Sequence, residues 1–282
     1  MMGEILNIIS VDVEEIYHAE YIRPSARAVR WSRAPRGVEE ALSLLDRLGV
    51  EATFFLVGEV VEKHPGLLRA ILDRGHEVGF HGYSHKPLWR MTPSEFREEL
   101  VLAKKVLRRN CKGFRAPSFS LDTRTSWALS ILAEEGYIYD SSVFPARTPL
   151  YGLPDAPTRP YRPSLFDPRA EDNDAPIIEF PILTLEFNGI RIPLGGGFYL
   201  RLFPIELLLK VIHKLNEQGA PAVIYVHSWE LDPMTPRIAT TSPLKFFVTY
   251  YRLGSTSKKL ASLLSKGRFT SFRRYLEHEG LI

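Results

Sequence analysis

The sequence predicts an α/β fold built on a parallel sheet. Short apolar segments rich in β-branched residues alternate along the chain with longer segments of helical periodicity. Repeated strand–helix units require crossover connections, which join parallel strands with a right-handed turn. The polar residues that follow the apolar segments would then meet at one edge of the sheet, where parallel barrels carry their catalytic residues.

The predicted strands are apolar runs bounded by turn residues, and the predicted helices show a 3.6-residue apolar period. The strands span residues 5–11, 53–57, 77–80, 113–115, 138–140, 177–180 and 222–226. The helices span residues 37–48, 65–74, 93–109, 123–135 and 204–218. Thr92 and Glu95 form a predicted capping box around Pro93, and Gly49 and Gly136 are predicted C-caps.

Length and composition indicate an ordinary globular chain. The 282 residues, 45% hydrophobic and 24% charged, can bury a core as one large domain or two small ones. The net charge of +3 does not indicate nucleic-acid binding, and Cys111 is the single cysteine, which excludes an intramolecular disulfide and a cysteine metal cluster. No signal peptide or membrane-spanning run is recognised, so a cytoplasmic location is expected.

Two histidines follow the third predicted strand. His81 and His85 are four residues apart, a spacing at which two imidazoles can converge on one cation. Gly82 and Ser84 between them lower helix propensity, so we expect a loop that closes the strand. By itself, a His-x-x-x-His pattern is weak evidence for a metal site.

An acidic cluster follows the first predicted strand. Asp12 and Glu14 alternate, so both lie on one face of an extended chain, whereas Glu15 points away. One carboxylate and two histidines are a sufficient ligand set for catalytic zinc and leave a position for water. A carboxylate that is not a ligand can take the proton of that water.

Three further segments complete a series. They are Phe-Arg-Ala-Pro-Ser at 114–118, Tyr-Asp-Ser-Ser at 139–142 and Val-Ile-Tyr-Val-His at 223–227. In chain order, the five segments resemble the motifs of the polysaccharide deacetylase (NodB-homology) family of carbohydrate esterases over about residues 5 to 230. The stretch at 228–233 resembles a branch of that family associated with exopolysaccharide systems.

The resemblance implies a TIM-like, distorted parallel (β/α) barrel with seven strands rather than a regular eight, a choice that the strand count alone leaves open. It implies that residues 1–235 form the catalytic domain, and we expect residues 236–282 to form a basic C-terminal extension packed on it. It also implies a divalent metal. Zinc is expected, although mixed nitrogen and oxygen ligation also accepts cobalt, nickel or iron.

The resemblance assigns a role to each motif residue. His81 and His85 would be metal ligands, with Glu14 as the carboxylate ligand. Asp12 would be the general base, held ionised and oriented by a bidentate pair with Arg115. Most members of the family carry two adjacent aspartates where this chain has Asp12-Val13-Glu14, so which acid binds the metal stays open, with Glu15 the weaker candidate.

The remaining roles concern the leaving group and the oxyanion. The backbone N–H of Ser118 would help to stabilise the oxyanion, and His227 would protonate the departing amine with Asp140 as its orienting partner. Other interpretations exist for single motifs. Asp12 could cap a turn, and a lone His227 at a strand end could be an ordinary core histidine.

The predicted function is removal of N-acetyl groups from the sugars of a polysaccharide or its precursor. One alternative is hydrolysis of a small cyclic amide, since relatives of this fold cleave allantoin-like compounds. A second alternative, from another class, is a catalytically silent carbohydrate-binding protein, which the presence of every proposed catalytic side chain disfavours.

Three stretches and several aromatic residues lie outside these motifs. The proline-rich stretch 145–168 is interpreted as a surface loop rather than a substrate-shaping lid, and glycines 195–197 as a turn that lets backbone approach a neighbour. Residues 233–275 hold nine Lys or Arg and no acid, which favours a solvated helix face over contact with an anionic membrane or a pyrophosphate-linked sugar carrier. His18, His64, His76 and His213 are interpreted as structural. Tyr83, Trp89 and Trp229 could stack on a sugar ring, although aromatic residues are more often part of the core.

Overall fold

The computed structural model describes residues 5–26, 31–240 and 242–282. These residues form ten strands and eleven α-helices. The strands are β1 (Asn7–Val13), β2 (Thr53–Leu56), β3 (Glu77–Phe80), β4 (Gly113–Phe114), β5 (Tyr139–Asp140), β6 (Ile178–Glu179), β7 (Thr184–Phe187), β8 (Ile190–Pro193), β9 (Val223–His227) and β10 (Phe269–Thr270).

The helices follow most of these strands on the outside of the sheet. They are α1 (Ala34–Leu48), α2 (Gly58–Lys63), α3 (Gly66–Asp73), α4 (Pro93–Leu107), α5 (Trp127–Glu134), α6 (Gly197–Leu202), α7 (Ile205–Glu217), α8 (Ser228–Leu231), α9 (Pro243–Tyr250), α10 (Thr256–Leu264) and α11 (Phe272–His278). None of the helices in the described parts of the chain has both the length and the apolar character needed to cross a membrane.

Seven parallel strands form a half-barrel in the order β9-β1-β2-β3-β4-β5-β6, and the short β10 pairs with the first two residues of β1. Single backbone hydrogen bonds span the gap between β6 and β9. Leu183 donates to the Val223 carbonyl at 3.1 Å, and Tyr225 donates to the Gly195 carbonyl at 2.8 Å. The expectation of a distorted seven-stranded barrel is confirmed.

The side chains of β1 alternate between two buried environments. Ile9, Val11 and Val13 belong to the apolar layer between the sheet and the helices, whereas Ile8 packs among aromatic rings inside the barrel. Because successive side chains of a strand point to opposite faces, Ser10 and Asp12 share the interior face with Ile8. The fold therefore turns Asp12 toward the centre of the barrel.

The barrel interior below the site is filled by aromatic rings. Tyr139 and Phe272 stack with their centroids 4.8 Å apart, and Phe55 and Phe180 meet Phe272 edge-on. Phe272 belongs to α11, so a residue close to the end of the chain plugs the barrel. The part of the chain after residue 235 thus contributes both a strand and core packing.

The predicted elements are present with shifts of a few residues at their ends. The capping box forms as predicted, since Glu95 N–H donates to Thr92 Oγ1 at 3.3 Å and Thr92 N–H to Glu95 Oε2 at 2.7 Å. Gly49 and Gly136 end their helices with φ of 63° and 81°. The hairpin β7–β8, which turns at Asn188-Gly189, was missed, although this dipeptide is typical of such turns.

The predicted basic face of α10 is wrong in one respect. Lys258 is exposed, but the Lys259 ammonium folds inward and donates to the carbonyls of Leu200, Arg201 and Phe203 at 3.1, 2.9 and 2.7 Å. These carbonyls lie at the end of α6. Lys259 therefore connects α10 to α6.

Candidate active site

Three side chains that follow strands β1 and β3 converge at the carboxyl edge of the sheet. Glu14 comes directly after β1, and His81 and His85 lie in the loop after β3. All three are buried, and one donor atom from each lies within 4.8 Å of the other two. His85 Nε2 lies 2.5 Å from Glu14 Oε2. The fold brings the predicted ligands together.

The loop after β3 aims both imidazoles at Glu14. Gly82 and His85 adopt left-handed backbone conformations with φ of 78° and 52°, and Arg23 donates to the His85 carbonyl at 2.9 Å. His81 Nδ1 is hydrogen-bonded to the Arg115 carbonyl at 2.8 Å. A carbonyl partner on one ring nitrogen is typical of metal-binding histidines, because it fixes the ring and leaves the other nitrogen for the metal.

This donor set fits a divalent first-row metal. Two imidazole nitrogens and one carboxylate oxygen form the protein ligands of many catalytic zinc sites, and cobalt, nickel and iron accept similar sets. Burial by itself would raise the pKa of Glu14, but the imidazoles of His85 and His227 hold that pKa well below its usual value. Glu14 is therefore ionised, as a ligand must be.

The predicted contact between Asp12 and Arg115 is present, but it is not bidentate. Arg115 Nη1 donates to Asp12 Oδ1 at 2.7 Å and to Ser10 Oγ at 2.8 Å. The other donors turn to Ser141, with Nε 2.9 Å from its carbonyl and Nη2 2.8 Å from its hydroxyl. The guanidinium is fully buried, with its central carbon 4.3 Å from the centre of the Phe55 ring.

Arg115 leaves the second carboxylate oxygen of Asp12 available. This oxygen, Oδ2, lies 3.9 Å from His81 Nε2 and borders the cavity described below. Asp12 is thus next to the candidate metal ligands without being part of the converging set. The geometry suits a base beside a metal site.

Ser118 lies in the turn after β4 and borders the same cavity. Its backbone is in the left-handed region, with φ of 57° and ψ of 28°, and Pro117 before it contacts the loop at Gly82. A non-glycine residue in this region is strained and is held there by its surroundings. Its position is compatible with the predicted oxyanion contact.

His227 ends β9, which lies on the other side of β1 from β3 and the His81 loop. Its Nε2 lies 3.7 Å from Glu14 Oε1, and its ring stacks on Trp229 with centroids 5.1 Å apart. The predicted partner, Asp140, is wrong, because His227 Nδ1 is paired with Glu230 Oε2 at 2.9 Å. Burial would lower the pKa of His227, but the carboxylates of Glu14 and Glu230 raise it to about 9.

Asp140 lies instead behind the Arg115 loop. It accepts a hydrogen bond from Ser142 Oγ, which in turn accepts from Ala116 N–H at 2.7 Å. Burial raises the pKa of Asp140 to about 6, and burial together with the carboxylate of Asp140 raises the pKa of Glu179 well above its usual value. Asp140 therefore supports the turn that carries Arg115 rather than orienting His227.

Two contacts of the site were missed in the sequence. Trp229 Nε1–H donates to Glu14 Oε1 at 3.0 Å, so this ring holds the carboxylate as well as stacking on His227. Glu230 pairs with His227 as the N3 residue of a capping box, a pattern that the spacing of the two residues could have revealed. Glu15 turns away as expected and accepts from the backbone N–H of Ala34 at 3.0 Å.

A cavity of about 390 Å³ opens above these residues. Asp12, Glu14 and His227 lie at its floor, and aromatic rings form much of its wall. Residues 148–151, at the start of the proline-rich stretch, line the cavity, while the exposed residues of its later part are Asp155, Arg159 and Phe166. The interpretation as a surface loop is thus wrong for its first residues. The aromatic wall residues are Phe119, Tyr151, Phe198, Tyr199, Tyr225 and Trp229.

Comparison with known families gives two adjoining matches. Residues 30–136 match the family model described as polysaccharide deacetylase, and residues 141–277 match one described as a domain of unknown function, DUF3473. The first match shows a polysaccharide deacetylase domain in this chain, at residues 30–136. The second match begins directly after β5 and covers all later strands and His227.

Named relatives are similar over part of their length. A peptidoglycan deacetylase-like protein of Gibberella zeae is 33% identical over 42% of this chain and 36% of its own. The peptidoglycan-N-acetylglucosamine deacetylase of Bacillus cereus is 36% identical over 30% of this chain and 34% of its own. The chain thus spans about a third of the length of these relatives.

Solved structures with the same fold cover nearly the whole chain. A crystal structure assigned to a polysaccharide deacetylase of Mycobacterium smegmatis has a TM-score of 0.62 at 20% identity, covering 98% of this chain and 90% of its own. A CE4 family pseudoenzyme of Bacillus anthracis has a TM-score of 0.51 at 14% identity, covering 97% and 66%. At these identities the likeness shows the fold alone.

Proposed function

We propose that this chain is a metal-dependent hydrolase that removes N-acetyl groups from the sugars of a polysaccharide or its precursor. The observation that carries the proposal is the buried convergence of Glu14, His81 and His85 beside Asp12, with His227 Nε2 3.7 Å from Glu14 Oε1. Relatives with peptidoglycan and chitooligosaccharide deacetylase names support the choice of an N-acetylated glycan.

The ligand set would hold a divalent metal, with zinc the expected ion. When bound there, such an ion would polarise the acetamide carbonyl and make a water molecule more acidic. The chemistry of the donors supports this assignment, since all three are buried and the ring of His81 is already fixed by a carbonyl.

Proton transfers would be carried out by Asp12 and His227. Asp12 accepts the proton of the attacking water at Oδ2, because Oδ1 is occupied by Arg115 at 2.7 Å. His227 gives a proton from Nε2 to the departing amine, which is a poor leaving group without one. The Ser118 N–H donates to the developing oxyanion.

The surface beside the cavity bears on where the substrate is presented. Leu244 and Phe247 of α9 are exposed, and Leu244 and Lys245 border the cavity. We therefore propose that the glycan is presented at an anionic membrane surface, as in an exopolysaccharide system with a lipid-linked precursor. The apolar and basic character of this rim supports such contact.

The experiment that tests the proposal measures acetate release before and after metal removal. The stripped protein is reloaded with zinc, cobalt, nickel or iron and offered N-acetylglucosamine oligomers, an acetylated glycolipid in anionic or neutral vesicles, and allantoin. We expect no release without metal, release from the oligomers after reloading, and faster release from anionic than from neutral vesicles.

The alternatives predict other outcomes of the same experiment. Turnover of allantoin without acetate release would assign the site to cyclic amides. Glycan binding without turnover at any metal loading would make the protein a silent carbohydrate-binding member of the fold. Full activity in metal-free protein would contradict the role of Glu14, His81 and His85 as ligands.

A further inference from the structure

We propose that Glu230, held in place by Arg201 and by the glycine backbone at Gly197, is the positioning residue for His227. The inference rests on the proposed function, because it assigns the residues that prepare the leaving-group acid. It also gives a role to the glycine run 195–197 and to the segment of unknown function at 141–277.

Glu230 fixes His227 through both its backbone and its ring. One carboxylate oxygen, Oε2, accepts from the His227 backbone N–H at 2.9 Å and lies 2.9 Å from Nδ1. This pairing places the Nδ1 proton on the Glu230 side, so that Nε2 is the nitrogen that faces the cavity. Trp229 stacks on the ring and prevents it from rotating out of this orientation.

Arg201 keeps Glu230 ionised and in position. Its guanidinium is fully buried and donates through Nη1 to Glu230 Oε1. Its remaining donors reach the carbonyls of Tyr251 at 2.8 Å and of Val248 and Thr249 at 3.1 Å each. All the polar groups of this ion pair are thus satisfied, which a buried pair needs if it is to hold its geometry.

The glycine run makes room for this arrangement. An ideal Cβ on Gly197 would overlap the Glu230 carboxylate, and one on Gly196 would lie 2.8 Å from Tyr225 Oη. Gly197 does not have a positive φ, so the requirement for glycine here comes from close approach rather than from backbone conformation. Any side chain at 197 would push Glu230 away from its present position.

Gly197, Arg201, Glu230 and His227 all belong to the segment 141–277, which matches the domain of unknown function. The candidate ligands His81 and His85 lie within the other match, at 30–136. The segment 141–277 is therefore no appended module. It completes the sheet through β6 and β9 and supplies the acid half of the site.

The test compares Glu230→Gln with Glu77→Gln, which removes another buried carboxylate at the opposite end of β3 from His81. For an N-acetylated sugar, Glu230→Gln should lower kcat about 10²-fold or more while KM and metal content stay near wild type. An aryl acetate, whose phenolate leaves without protonation, should lose far less. Glu77→Gln should leave kcat near wild type for both the N-acetylated sugar and the aryl acetate.

A second measurement reports on the imidazole without relying on turnover. In zinc-loaded protein labelled with ¹⁵N-histidine, the His227 ring should show a protonated, hydrogen-bonded Nδ1, and Glu230→Gln should shift this resonance. If wild type releases no acetate, the proposed function fails but this spectrum still tests the positioning contact. An unchanged resonance, or unchanged kcat on the amide substrate, would overturn the inference.

Glu230→Gln leaves the buried Arg201 charge without its partner, which can prevent folding. The double variant Arg201→Gln/Glu230→Gln restores charge balance with side chains of similar length. If the ionised carboxylate positions His227, the folded double variant should remain as impaired on the amide substrate as the single one. Recovery to wild-type kcat in the double variant would contradict the inference.

Discussion

The two halves of the candidate site are held in place by different means. The metal and base half sits at the ends of β1, β3 and β4, where a carbonyl fixes His81 and the hydroxyls of Ser10 and Ser141 hold the buried Arg115–Asp12 pair. The acid half depends on one buried ion pair between α6 and α8, together with a glycine contact. A site of this kind can lose its leaving-group acid while it keeps its metal ligands and its base.

The largest expected effect separates base from ligand within the first half. Asp12→Asn should remove nearly all turnover and keep the metal stoichiometry, because Asp12 lies beside the converging set rather than in it. Glu14→Ala should lose both metal and turnover, since it removes one of three ligands. Metal analysis of both purified variants checks this prediction. If the Asp12 variant contained no metal and the Glu14 variant kept its full metal content, the roles of base and ligand would have to be exchanged.

A smaller effect should break the acid half alone. Gly197→Ala should displace Glu230 and reduce turnover of an acetamide by about 10²-fold, with metal content unchanged. Gly66→Ala in α3 is the matched control, because an added methyl there meets no atom within 4 Å. Kinetics and metal analysis of the two alanine variants make the comparison. A Gly197 variant with wild-type kcat would show that the close approach has no functional consequence.

The smallest effect concerns the carboxyl pair behind Arg115. The pKa of Asp140 is raised to about 6 and that of Glu179 is raised further, so the folded protein keeps protons that the unfolded chain releases. The stabilisation is complete below about pH 4, near the unfolded pKa values, and is lost as pH rises through 6 and above. The contribution of this pair to the free energy of unfolding should therefore fall between pH 5 and pH 8.

Glu179→Gln removes one of the two ionisations and should reduce that fall by on the order of 1–3 kcal/mol. Denaturant unfolding at the two pH values measures it. Because Asp140 and Glu179 do not contact His227, the ratio of amide to aryl ester turnover should stay at its wild-type value. A changed ratio would mean that the carboxyl pair serves the acid half after all.

The sequence predicted the metal and base half well because its signals are local. His81 and His85 are four residues apart, Asp12 and Glu14 alternate on one strand, and parallel strands carry such residues to one edge. The seven strands of the half-barrel were predicted for the same reason, since each is a short apolar run. The catalytic roles of these site residues stay predictions.

The acid half was predicted less well because its contacts are distant in sequence. Arg201 and Glu230 are 29 residues apart. In a single sequence, neither residue type by itself indicates that it will form a buried ion pair. The family resemblance assigned Asp140 as the partner of His227, but β5 and β9 are not neighbours in the sheet. The bidentate geometry of Arg115 was wrong because Ser141 competes for its donors.

Lys259 connects helix α10 to His227, the proposed leaving-group acid, through residues of α6 and α8. By binding the carbonyls at the end of α6, it fixes the short helix on which Arg201 stands. A residue of α10 is thus joined to His227 through Arg201 and Glu230 alone. A chimera that joins this barrel to the C-terminal helices of a relative would therefore have to preserve these contacts. A chimera that keeps every catalytic motif but loses the contacts could still bind metal and yet fail to protonate the departing amine.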